Sequence, residues 1–82
     1  TPFRIPLRCS NTLKKRPGRL EFQRGIMQQN EKGETVVRGA GHQGSHILRS
    51  MSIADCFIVL SPENSGVKAG DWVEVEPFPH NS

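Results

Sequence analysis

The feature that most constrains this chain is an apolar alternation with a period of two, broken repeatedly by glycine and proline. In "FRIPLRC", residues 3–9, Phe3, Ile5, Leu7 and Cys9 fall on one face and Arg4, Pro6 and Arg8 on the other. That is the pattern of a strand with one buried side. Pro6 has no N–H to give a neighbour, so it places the strand at an edge or limits it there. "SNTLKKRPG", residues 10–18, is a basic loop closed by the Pro17-Gly18 turn signal. Alternation then resumes: Leu20, Phe22 and Ile26 share one parity with Arg24, and Arg19, Glu21 and Gln23 take the other. Residues 30–34 read as a polar hairpin turn and 35–38 as a short strand. The unbroken apolar run "FIVLS", 57–61, fits a strand covered on both faces, and "WVEVEPF", 72–78, alternates again. Ile47, Leu48, Met51, Ile53 and Ala54 recur at helical spacing, predicting a short helix over about 46–54 with Ser45 as its N-cap. The sum is an all-β, small barrel-like or β-clip domain of about five or six strands with one short helix.

At 82 residues, the chain reads as a single domain, 1–82, or one piece of a larger protein. A chain this short buries only about 60% of the surface its unfolded form exposes, leaving little core to spare. The net charge of +3 is unevenly spread: Arg4, Arg8, Lys14, Lys15, Arg16, Arg19 and Arg24 face only Glu21 within the first 24 residues. A one-sided basic surface gathers anions, whether phosphate, oxyanion or nucleic acid, and is equally the mark of a solubilising loop. Against nucleic acid stand the few aromatics, four Phe and one Trp with no Tyr, which fall mostly at core parity instead of forming a stacking platform. Cys9 and Cys56 form no CxxC pair and read as small buried thiols in a reducing compartment, not a disulfide scaffold. With no apolar run near 18 residues and no charged-then-apolar leader, neither a membrane span nor a signal peptide is expected.

Two places carry chemistry. Arg24 sits where an apolar residue is due, beside Gly25, whose missing side chain permits a bulge or a close backbone approach. Either a bulge turns Arg24 outward, or the arginine is aimed into an anion site, since a cation at core parity is costly without a partner. The second place is "GHQGSH", 41–46. His42 and His46 lack a third ligand and an HExxH glutamate, which disfavours a metal. Ser45 lies outside a G-x-S-x-G elbow, which disfavours a nucleophile. A helix N-terminus behind Gly44 suits an anion cradle, its free N–H groups and the Ser45 hydroxyl donating to an oxyanion. An ordinary capped helix after a glycine loop explains the same residues.

"KKRPGRLEFQRG" (14–25), "GHQGSHILRSMSIADCFIVL" (41–60) and "GDWVEVEPF" (70–78) together resemble the C-terminal domain, domain IV, of the MoeA–gephyrin family. The likeness runs from about residue 3 to 78 with motifs in the same order, and is nearest the bacterial molybdopterin molybdotransferases. It implies a β domain that helps form the cleft where molybdate is inserted into adenylylated molybdopterin with release of AMP. It also implies Mg2+ held by other domains, a cytoplasmic homodimer, and no nucleic acid or membrane partner. The family's arginine and serine associated with molybdate fall on Arg24 and Ser45, with the Gly44-Ser45-His46 backbone assisting. Lys14, Lys15, Arg16 and Arg19 become candidate phosphate-facing residues. Catalytic acids and magnesium ligands are expected outside this segment, so the isolated chain is expected to be inactive. One departure is Asp55-Cys56, where family members often carry Asn-Gly. The alternative is a small basic β module that binds nucleic acid or a protein partner.

Overall fold

Strand β1 (Ile5–Cys9) starts the chain's path, followed by β2 (Glu21–Gln29), β3 (Thr35–Gly39), β4 (Cys56–Leu60) and β5 (Trp72–Pro77). The computed structural model describes residues 3–40 and 53–79. The strands close into a barrel in the order β1-β3-β2-β4-β5, with β5 returning to β1. All neighbours are antiparallel except β1 and β3, which run parallel through Arg8↔Val36 and Cys9↔Val37. A parallel pair needs a long crossover, and here the connection from β1 to β3 contains β2. No helix occurs among the described residues: Ile53 lies in a turn and Ala54 is irregular, while residues 46–52 of the expected helix lie outside them.

The hairpin between β2 and β3 forms because Asn30 and Gly33 meet its backbone needs. The Asn30 side-chain oxygen accepts the N–H groups of Lys32 and Glu34, both at 2.9 Å. Gly33 adopts φ 82°, which side-chain-bearing residues resist. Pro6 is accommodated because the parallel pairing to β3 starts only at Arg8, so around Pro6 the strand is paired with β5 through Glu74.

Inside the barrel sit Leu7, Cys9, Val37, Cys56, Ile58, Leu60, Val73 and Val75, joined by Leu13 and Val67 from the loops. Leu13 and Val67 exchange both backbone hydrogen bonds, 2.8 and 3.0 Å, which brings the basic loop over the core. Each such buried aliphatic side chain contributes about 1.5–3 kcal/mol. Both thiols are free and fully buried, as small apolar fillers.

Strand β2 corrects the sequence reading. Gly25 and Met27 face the core, whereas Leu20, Phe22 and Arg24 are exposed. The register is unbroken from Glu21↔Leu60 to Gly25↔Cys56, so no bulge turns Arg24. The whole strand presents its other parity inward. Gly25 is glycine because a Cβ there would lie 3.0 Å from Ile58 and 3.1 Å from Val37 side-chain atoms. Between the two uses foreseen for that glycine, close approach is the one observed.

The aromatics, too, depart from core parity. Phe22 is 42% exposed and Trp72 61%, on the barrel's outside. Phe57 packs edge-on against Phe22 at 5.6 Å and against Phe78 at 4.8 Å. The Arg8 guanidinium covers the Trp72 ring at 4.7 Å and donates to the Gly70 carbonyl at 2.9 Å.

Candidate functional site

The residues foreseen as an oxyanion site divide between the described barrel and the segment 41–52. Gly44, Ser45 and His46 lie outside the described residues, as does His42. Arg24 and both stems of the segment are described. On the entry side, Ala40 N–H donates to the Arg24 carbonyl at 2.9 Å; on the exit side, Asp55 N–H donates to the Gly25 carbonyl at 3.0 Å. The described residues flanking 41–52, Ala40 and Asp55, are therefore fixed on the consecutive β2 residues Arg24 and Gly25.

Side chains secure these stems. The Asn11 side-chain Oδ1 accepts the Gly39 N–H at 3.1 Å, and Leu13 packs so tightly on Gly39 that a Cβ there would come within 2.6 Å of its Cδ2. Asp55 Oδ1 accepts the Met27 N–H at 2.9 Å, and its own carbonyl accepts Phe78 N–H at 2.9 Å. Asp55 thus continues the ladder one step past the last β2–β4 pair, Gly25↔Cys56. The sequence marks Asp55-Cys56 only as a departure from the family pattern and Asn11 as loop. Periodicity carries no signal for such side-chain-to-backbone bonds.

Arg24 projects from the outer face with its guanidinium 5.8 Å from the centre of the Phe57 ring. Among the described residues no carboxylate pairs with it, whereas Arg4 pairs with Glu76 at 3.3 Å and Glu74 at 3.9 Å. A guanidinium is charged at every physiological pH and offers planar N–H donors suited to oxyanions.

The other basic candidates are placed apart. Lys15 is buried, its Nζ donating to the carbonyls of Arg16 at 2.8 Å and Asn64 at 3.2 Å. Its charge serves the loop. Lys14 is exposed, but its carbonyl takes the Gln23 amide at 2.9 Å on the opposite parity of β2 from Arg24. Arg16 and Arg19 are exposed near Gly18, whose N–H donates to the Pro62 carbonyl at 2.7 Å beyond the far end of β4. The four steps of β4 span about 13 Å. The fold therefore brings Arg24 to the stems of 41–52 and leaves Arg16 and Arg19 at the other end of β4.

The neighbouring thiol is quiet. Burial first, then the charge of Asp55 and a hydrogen bond to its carboxylate, push Cys56 up to about 12. Burial likewise raises Cys9, opposed by its bond to the Asn11 backbone. Thiols so shifted stay protonated and unreactive at neutral pH. Among the described residues no three His, Cys, Asp or Glu side chains gather in a metal-binding cluster.

Comparison with known proteins gives concordant results. The family described as the MoeA C-terminal region (domain IV) matches residues 6–78. Over 68 residues the chain is 48% identical to a molybdopterin molybdenumtransferase of Haemophilus influenzae, covering 83% of this chain and 17% of that protein. Among solved structures, the molybdopterin biosynthesis moeA protein of Pyrococcus horikoshii aligns with a TM-score of 0.68 at 19% identity, over 94% of this chain and 19% of that one. A molybdenum cofactor biosynthesis protein of Pyrococcus furiosus aligns with a TM-score of 0.68 at 21% identity, over 94% of this chain and 26% of its own. At these identities the two structures speak for the fold alone. The chain spans between 17% and 26% of the length of these relatives.

Proposed function

The chain belongs to the MoeA C-terminal (domain IV) family, and we propose that it serves as that domain of a molybdopterin molybdotransferase, in molybdenum cofactor biosynthesis. In this reading the larger cytoplasmic, homodimeric enzyme inserts molybdenum from molybdate into adenylylated molybdopterin and releases AMP. Magnesium and the catalytic acids belong to its other domains. The domain contributes a polar wall to the cleft: Arg24 holds the oxyanion electrostatically, and Ser45, with the Gly44-Ser45-His46 backbone, donates hydrogen bonds. Lys14, Arg16 and Arg19 remain the phosphate-facing candidates, and Lys15 supports the loop that carries them.

The observation that carries this reading is the fixing of both stems of 41–52 to Arg24 and Gly25, beside a guanidinium without a carboxylate partner among the described residues. Such a site works by positioning and by charge already in place when the reaction begins. The exposed Leu20, Phe22 and Trp72 favour a second part to the reading, a surface that packs against the rest of the same enzyme.

An amide NMR titration of the chain with molybdate, with sulfate as control, tests the site. Saturable shifts of Arg24, Gly44, Ser45 and His46, larger for molybdate, are expected. Equal response to sulfate, or none, removes the cradle from this domain. Alone, the chain is expected to show no transferase turnover, and measurable turnover contradicts that division of labour.

A further inference from the structure

Arg24, Phe57 and Glu76 occupy one cross-strand row over three neighbouring strands, through the pairs Arg24↔Phe57 and Phe57↔Glu76. Strands lie about 4.8 Å apart, so the outer two α-carbons of the row are separated by about 10 Å. Arginine and glutamate side chains are long enough to meet across that gap. They do not meet here, for two reasons visible in the row. The Phe57 ring stands between them, clamped edge-on by Phe22 and Phe78, with the Arg24 guanidinium resting on its own side. On the far side, Glu76 is engaged by Arg4 at 3.3 Å, and the Glu76 side chain is only 18% exposed.

We propose that Phe57 is a positioning residue that insulates Arg24 from Glu76, keeping the arginine's charge and its N–H donors free for an oxyanion. The inference rests on the oxyanion reading given above and adds to it the group that determines its strength. An aromatic face attracts a guanidinium without using its in-plane donors, whereas a carboxylate takes those donors in bidentate fashion. Phenylalanine holds the cation and leaves its hydrogen-bonding edge open; a smaller residue at 57 opens the path to Glu76. Arg4 has the complementary part, since its pair with Glu76 holds the competing carboxylate away. Arg4 also lies 5.8 Å from the Phe22 ring, so the same aromatic cluster orients both cations.

The test uses the intact molybdotransferase carrying this domain and reads kcat and KM for molybdate separately. Arg24→Ala is expected to raise that KM at least about tenfold, the loss of a charge-assisted contact. Phe57→Ala is expected to raise it about fivefold with kcat nearly unchanged, through a lost cation–π contact and a gained, partly exposed ion pair. The deciding variant is Phe57→Ala combined with Glu76→Gln, which has no carboxylate to offer and recovers most of the loss. Phe57→Leu, which fills the gap, stays nearer the parent than Phe57→Ala, and melting temperatures separate folding damage from either effect. If Phe57→Ala raises KM and removing the Glu76 charge restores nothing, insulation is wrong while the oxyanion reading stands. If Arg24→Ala leaves KM unchanged, the oxyanion reading falls and the inference with it.

Discussion

At the scale of single residues, two buried positions set measurable limits. Cys56 is pushed from the ordinary thiol value of 9.0 to about 12, chiefly by burial and secondly by Asp55. A raised value means the folded state holds its proton while the unfolded chain gives its own up. The stabilising difference is fully present below pH 9.0, and is lost progressively as pH rises toward about 12. Thermal melts from pH 8 to 11 should therefore fall more steeply for the parent than for Cys56→Ala; parallel curves would show that the thiol does not titrate this way. Gly25 is a steric limit. Its neighbours Ile58 and Val37 are fully buried and leave no room for a methyl group at 3.0–3.1 Å. Gly25→Ala is expected to cost about 1–3 kcal/mol of overpacking, against about 0.5–1 kcal/mol returned by removing glycine's freedom. Urea unfolding decides the sign, and a more stable variant would mean that the core yields.

At the scale of elements, legibility followed how directly alternation reports burial. β1 and β5 stand where period-two alternation placed them and β3 follows the turn as read, while β4, read from an unbroken apolar run and with four of its five residues buried, matches the expectation of cover on both faces. β2 exists as read, yet its faces are reversed. Its apolar residues Phe22 and Ile26 mark the outer side, where Phe22 meets Phe57, while its core side is served by Gly25 and Met27. A narrow barrel accepts a glycine where Ile58 and Val37 already fill the interior, so counting apolar residues per face misleads there. That same reversal dissolves the apparent burial of Arg24: its odd place in the pattern was legible, and its outward geometry was not. The stems' clasps at Asn11 and Asp55 were invisible, because polar side chains that bond to distant backbone leave no periodic trace. The hairpin turn was readable from Asn30 and Gly33, and one side-chain oxygen there accepts two N–H groups. Asn30→Ala should destabilise the barrel by about 1–2 kcal/mol in denaturant titration, with Asn30→Asp retaining most of it; equal losses would assign the effect elsewhere.

At the scale of the whole molecule, closure ties function to a particular arrangement of connections. β1 and β5 pair from Ile5↔Val75 to Arg8↔Trp72, so the two ends of the described chain are neighbours in the barrel. Joining the ends by a short glycine-rich linker and opening the chain elsewhere tests which connections the fold needs and which the site needs. Opening between Lys32 and Gly33 cuts an exposed hairpin tip and leaves Arg24 and both stems of 41–52 in place. Opening between Gln43 and Gly44 also leaves each stem bonded to β2, because Ala40 and Asp55 are held independently. Both permutants should therefore fold, the first with a modest loss of stability from the broken turn. If the proposed oxyanion site exists, they should differ in molybdate titration: the first keeps a saturable response, and the second, which cuts the chain next to Gly44 and Ser45, loses it. Equal binding by both would move the site onto Arg24 and its aromatic row alone. Failure of the second to fold would instead make the 41–52 connection part of what closes the barrel.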